Sequence, residues 1–99
     1  MTVNKITNKG KTTLQVEGRV DTVTAPELEK AVNAAAEDTD TLVLDCEKLV
    51  YISSAGLRVL LSTHKLMAKK KGTFELINIG DDIMEIFSIT GFAQILNIK

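Results

Sequence analysis

The sequence has one cysteine, one proline, one tyrosine and no tryptophan among its 99 residues. A lone cysteine, Cys46, excludes an internal disulfide framework and any multi-cysteine zinc site. Charge of one sign is missing too: 12 lysines and arginines face 13 aspartates and glutamates, a formal net charge of −1. Without a basic surplus there is little to neutralise a phosphate backbone, so nucleic acid is not an expected partner. No apolar run approaches the roughly 18 residues that would mark a bilayer-spanning helix. The opening MTVNKITNKGK is polar, with no apolar signal core. These absences lead to the expectation of a cytoplasmic protein without membrane insertion. Neither G-x-x-x-x-G-K-[ST] nor G-x-G-x-x-G occurs, so any nucleotide cradle would be atypical.

What is present is an ordinary globular balance, 44% hydrophobic and 25% charged. That excludes disorder, and the length fits one domain over residues 1–99. Hydrophobic periodicity switches repeatedly between strand-like and helix-like, the mark of an α/β domain. Strands are predicted near Val3–Thr7 and Thr12–Val20, joined as a hairpin by Asn8-Lys9-Gly10-Lys11. Thr24-Ala25-Pro26-Glu27 reads as a helix start, with Thr24 and Glu27 at capping-box positions. Leu28, Ala31, Val32, Ala35 and Ala36 supply that helix with its apolar stripe. Thr41–Cys46 reads as a central strand buried on both faces. A second helix is predicted from Ser54 to Lys69, with Leu57, Leu60, Leu61, His64, Met67 and Ala68 on one face and Gly72 as its stop. A strand from Phe74, a helix from Asp81 to Thr90-Gly91, and a last strand over Ala93–Ile98 complete the order β-β-α-β-α-β-α-β. The connections after Val43 are expected to be right-handed parallel crossovers.

The segment Val50–Leu61 places two hydroxyls, a small residue and a glycine at the mouth of a helix. A serine at such a position caps an orphan backbone N–H, or it carries a phosphate stabilised by the positive helix pole. Ala55 and Gly56 leave the corner open to a partner. Arg58, one turn in, can pair with such a phosphate or face the partner. Nucleophilic catalysis fits poorly, because Ser-Ser-Ala-Gly is not G-x-S-x-G. His64, the only histidine, lies ~15 Å along the same helix by rise alone. Its position between Leu61 and Met67 suits a semi-buried structural role better than a phosphocarrier, and a lone histidine without ligand partners makes no metal site. Cys46, after a buried strand, reads as inert packing. Asp81 and Asp82 suit a helix start, and Asp45 a structural role at a strand end. Gly18-Arg19-Val20-Asp21 puts two charges at a strand exit, either a turn with a surface ion pair or part of a site.

Three segments together resemble the STAS domains of the anti-sigma factor antagonist type. They are Val16–Asp21 with Thr24–Leu28, Leu42–Asp45 leading to Ser53-Ser54-Ala55-Gly56-Leu57, and Ile83 to Gly91-Phe92. The resemblance covers residues 3–98. It implies a single domain with a mixed sheet of about five strands and helices mainly on one face. It also implies a partner switch in which the unphosphorylated protein binds an anti-sigma factor serine kinase and frees the sigma factor. Phosphorylation would end binding, and a PP2C-type phosphatase would restore it. On the motif D-S-[ST]-G-L the phosphorylated serine falls on Ser54, with Ser53, standing where the family often has aspartate, as second acceptor. The glycine and leucine fall on Gly56 and Leu57, and the acidic residue after the second strand on Asp21. The implied partner surface is Asp21, Thr24, Ser53, Ala55, Gly56, Leu57 and Arg58. No catalytic residue, metal or cofactor is implied, and the free protein is expected to be a monomer. The alternative is a STAS adaptor subunit of a transporter or another signalling complex.

Overall fold

The computed structural model describes residues 1–99. Strands β1 (Thr2–Asn8) and β2 (Lys11–Val20) form the expected antiparallel hairpin. Its two-residue turn has both central residues at positive φ, Lys9 at 48° and Gly10 at 79°. That geometry matches the right-handed twist of the flanking strands. Helix α1 (Ala25–Glu37), strands β3 (Thr41–Asp45) and β4 (Leu49–Ile52), helix α2 (Ser54–Lys69), strand β5 (Thr73–Ile77), helix α3 (Asp81–Thr90), a 3₁₀ turn (Phe92–Gln94) and strand β6 (Asn97–Ile98) follow. The sheet runs β1-β2-β3-β5-β6 with β4 also on β2, and every pairing except the hairpin is parallel.

The sheet has six strands where about five are expected from the sequence. The extra one is β4, which divides β2 between two partners. Residues 11–15 of β2 pair with β3, and residues 18–20 pair with β4 across a register shift at Gly18/Arg19. Gly18 makes that shift at φ 96°, a conformation open mainly to glycine. At the C-terminal end the strand expected over Ala93–Ile98 is cut to two residues. Its first part is the 3₁₀ turn, entered through Gly91 at φ 84°.

One face of the sheet carries the core. Leu14, Val16, Leu42, Leu44, Phe74 and Leu76 pack with Leu28, Val32 and Ala35 of α1, Leu57 and Leu60 of α2, and Ile83 and Phe87 of α3 in one cluster. The other face is polar: Thr13, Gln15, Thr41, Asp45 and Glu75 are only half-buried. The expectation that β3 is buried on both faces holds for its three central residues, Leu42, Val43 and Leu44. Val43 is buried, but outside the core, between its ladder neighbours Thr13 and Glu75. On α2 the inward face comprises Gly56, Leu57, Val59, Leu60, Thr63 and Met67, whereas Ala68 is exposed and Leu61 and His64 are half-buried. The helix does not stop at Gly72 through that residue's freedom. Lys71 takes the left-handed conformation at φ 61°, its N–H bonding Ala68 O while the Gly72 N–H bonds Met67 O. Gly72 is required for space, since a Cβ there would lie 2.8 Å from Asp40 O and from Met67 Cε.

Candidate functional site at the mouth of α2

The site forms where β2 and β4 end side by side and α1 and α2 begin. Ser53 donates its backbone N–H to Val20 O at 2.8 Å, tying the start of α2 to the end of β2. Gly56 then brings the helix down onto the sheet. A Cβ at that position would lie 2.6 Å from Ile52 Cγ1 and 2.7 Å from Val20 Cγ1. Gly56 and Leu57 are thus buried and fix the height and angle of the helix mouth, whereas the reading of Gly56 as part of an open corner places it on the surface. Ser54 and Arg58 are exposed, and Ala55 is half-buried. The first turn of α2 contains no acidic residue and receives no side-chain cap.

The two serines separate clearly. Ser53 is the N-cap by backbone position, yet its hydroxyl does not cap; Oγ is buried and has no hydrogen-bond partner. Ser54, the first helical residue, is open to an approaching protein. The capping role that a helix-mouth serine could play is therefore filled by neither side chain in this conformation.

Opposite the serines, the loop from Arg19 to Thr24 is held by its own side chains. Asp21 Oδ1 accepts the backbone N–H groups of Val23 and Thr24, each at 3.0 Å. Thr24 Oγ1 accepts the Asp21 N–H at 2.9 Å and donates to Arg19 O at 3.0 Å. The capping box expected between Thr24 and Glu27 is absent, because the hydroxyl is turned back into the loop instead of over the helix. The Thr24 backbone N–H is the main cause that holds the Asp21 carboxyl below its usual range, and the Thr24 hydroxyl, the Val23 N–H and the charge of Arg19 add to it against the smaller opposing pull of desolvation. Arg19 and Asp21 do not form the surface ion pair that the sequence allows. The guanidinium carbon of Arg19 lies 4.4 Å from the centroid of the Tyr51 ring, stacked across the β2–β4 pair. This pair is missing from the sequence-derived surface. Its signal is legible only once β4 is recognised as a strand beside β2.

Three large apolar side chains next to these residues face solvent: Val23 is 81% exposed, Val50 65% and Tyr51 37%. A shallow depression between the first turns of α1 and α2 is lined by Ala25, Pro26, Glu29, Ala55, Arg58 and Val59 among others. Such a mixture of apolar side chains, arginines and hydroxyls suits protein docking better than enclosure of a small molecule.

The remaining candidates lie elsewhere. His64 lines a separate depression with Met67, Phe74 and Asn97, and no three metal-ligating side chains come together anywhere in the chain. Cys46 is buried, and burial followed by the Asp45 charge pushes its thiol up to about 12, so it is not a thiolate at neutral pH. Asp45 has a structural role: Oδ1 accepts from the Glu47 N–H at 3.1 Å and from Asn78 Nδ2 at 3.0 Å. No helix is long and apolar enough to cross a membrane.

Comparison with known proteins agrees with this arrangement. The chain is 29% identical over 92 residues, 93% of its length and 84% of the relative's, to the anti-sigma-B factor antagonist of Bacillus subtilis. It is 36% identical over 81 residues, 81% of its length and 70% of the relative's, to BtrV of Bordetella bronchiseptica, named as a candidate anti-sigma factor antagonist. Among solved structures, an anti-sigma factor antagonist from Mycobacterium paratuberculosis superposes with a TM-score of 0.87 at 28% identity, covering 98% of this chain and 83% of that one. The STAS domain family matches residues 2–99, and the chain belongs to that family.

Proposed function

We propose that the protein is an anti-sigma factor antagonist whose binding surface, at the mouth of α2, is switched by phosphorylation of Ser54. The observation that carries this reading is the division between the two serines: Ser54 is exposed at the first helical position, whereas the Ser53 hydroxyl is buried. The names of the similar proteins support the antagonist role. In the unphosphorylated form the partner is an anti-sigma factor that is also a serine kinase. It docks over Ser54, Ala55 and Arg58 on one side and the Asp21–Thr24 loop on the other, while Gly56 and Leu57 position the helix from inside.

A phosphate on Ser54 adds a charge of about −1.5 to −2 and three acceptor oxygens. The free protein tolerates it, since the positive pole of α2 faces it and no acidic side chain stands in the first turn. A docked partner must strip water from that dianion without supplying a matched pocket, and each 1.4 kcal/mol of penalty lowers affinity about tenfold. A PP2C-type phosphatase removes the group and restores binding. This chain requires no active site of its own for the cycle, because the transfer chemistry belongs to the kinase and the phosphatase.

Affinity capture from the native host, with wild type, Ser54→Ala and Ser54→Asp as baits, tests the reading. Wild type and the alanine variant are expected to retain a kinase-like ATPase that the aspartate variant loses, with phosphate mapping to Ser54 of the wild-type bait. Identical capture by all three baits, with no phosphate on Ser53 or Ser54, would make the protein a constitutive adaptor.

A further inference from the structure

We infer that a phosphate on Ser54 is clasped by Arg58 of the same helix, so that phosphorylation withdraws a cation from the docking surface in the same step that it adds an anion. This rests on the phosphorylation reading above and assigns the residue that answers the modification.

Ser54 and Arg58 are four residues apart on α2 and both are exposed, which puts them one turn apart on the same face of the helix. Long helical side chains lean toward the N-terminus, over the residues three and four positions back. Arg58 lines the α1–α2 depression with Ala55, three positions back, and Ser62, four positions on.

The guanidinium is also uncommitted. The two ion pairs of the molecule are Lys48–Glu17 and Lys99–Glu75, and neither involves Arg58. Glu29, across the depression, is the one carboxylate of its lining and makes no ion pair with Arg58. Arg19, the other arginine of the surface, is already stacked on Tyr51. Nor does any acid compete at the helix start: α1 has Glu27 in its first turn and α3 has Asp81 and Asp82, whereas α2 has none. A guanidinium presents a planar fork that matches two phosphate oxygens, so the pair forms two parallel charge-assisted hydrogen bonds.

The consequence is a reversal of local charge rather than a simple addition. Before phosphorylation the first two turns of α2 offer a partner carboxylate one free cation. Afterwards that cation faces the phosphate, and the patch carries a net charge of about −1.

The test uses full-length protein bearing phosphoserine at position 54, installed during translation so that no kinase is needed. Phosphorus NMR follows the second ionisation of the phosphate in wild type, Arg58→Lys and Arg58→Gln. The other charged groups facing the site, Arg19, Asp21 and Glu29, are the same in all three. Wild-type phosphate is expected to bind its proton about threefold more weakly than phosphate in the glutamine variant, with lysine between them because it supplies charge without the fork. Phosphorylation is also expected to raise the wild-type Tm more than that of Arg58→Gln, while the unphosphorylated proteins melt alike. Superimposable titrations of wild type and Arg58→Gln would overturn the clasp. Because the phosphate is placed independently of any kinase, that result would leave the switch at Ser54 intact, and a kinase that ignores Ser54 would leave the titration readable.

Discussion

Asp21 shows how one side chain can organise a loop from within. Its carboxylate accepts two backbone N–H groups, and Thr24 returns a hydroxyl to the Asp21 N–H. The folded loop thus favours the ionised carboxyl, whose pKa is lowered first of all by the Thr24 N–H. A group with a depressed folded pKa stabilises the fold fully above its unfolded value and loses that contribution as pH falls through the folded one. The loop is therefore expected to be intact at neutral pH and to loosen only below about pH 4, where ordinary aspartates protonate. Amide NMR shifts of Val23 and Thr24 followed during acidification report it. Asp21→Asn keeps an acceptor and should hold both shifts near their wild-type values while abolishing the acid transition, whereas Asp21→Ala should move both at neutral pH. Unchanged shifts in the alanine variant would contradict the loop's construction. The acid was legible in the sequence from its place after a strand. Its two N–H partners were not, because Thr24 reads as a helix cap until the loop's turn is seen.

At the scale of elements, α2 is the part that matters, and one glycine sets its place. A methyl at position 56 would meet Ile52 and Val20 at 2.6 and 2.7 Å, at atoms close to the backbone that cannot swing away freely. Gly56→Ala gains about 1 kcal/mol of helix propensity and meets an overpacking penalty of about 1–3 kcal/mol. The expected result is a lower Tm or, where the helix lifts instead, altered NMR shifts at Ser53 and Ser54. A variant with wild-type Tm and wild-type shifts would refute the close approach. The periodicity of Leu57, Leu60 and Met67 made the helix itself legible, and the run Leu42–Leu44 did the same for β3. β4 escaped because Leu49-Val50-Tyr51-Ile52 buries its two ends and exposes its middle pair, a pattern without the alternation of a half-buried strand. The missing strand concealed the Arg19–Tyr51 stack as well, since that contact exists only across the β2–β4 ladder. β6 is shorter than its sequence suggests for a related reason: Ala93, Ile95 and Ile98 look strand-like, but Gly91 at positive φ starts a 3₁₀ turn first.

Across the whole molecule, three helices cover one face of the sheet, and the exposed residues of the proposed surface collect where β2 and β4 hand over to α1 and α2. A surface that combines exposed Val23, Val50 and Tyr51 with Arg19 and Arg58 favours a partner of mixed apolar and acidic character. The central claim concerns a change of charge at one hydroxyl on that surface. Its most direct measurement is a calorimetric titration of the host's anti-sigma factor kinase with unphosphorylated protein and with protein phosphorylated at Ser54. The account predicts that phosphorylation weakens binding by about a hundredfold or more, the equivalent of about 3 kcal/mol. Equal affinities for the two forms would contradict it.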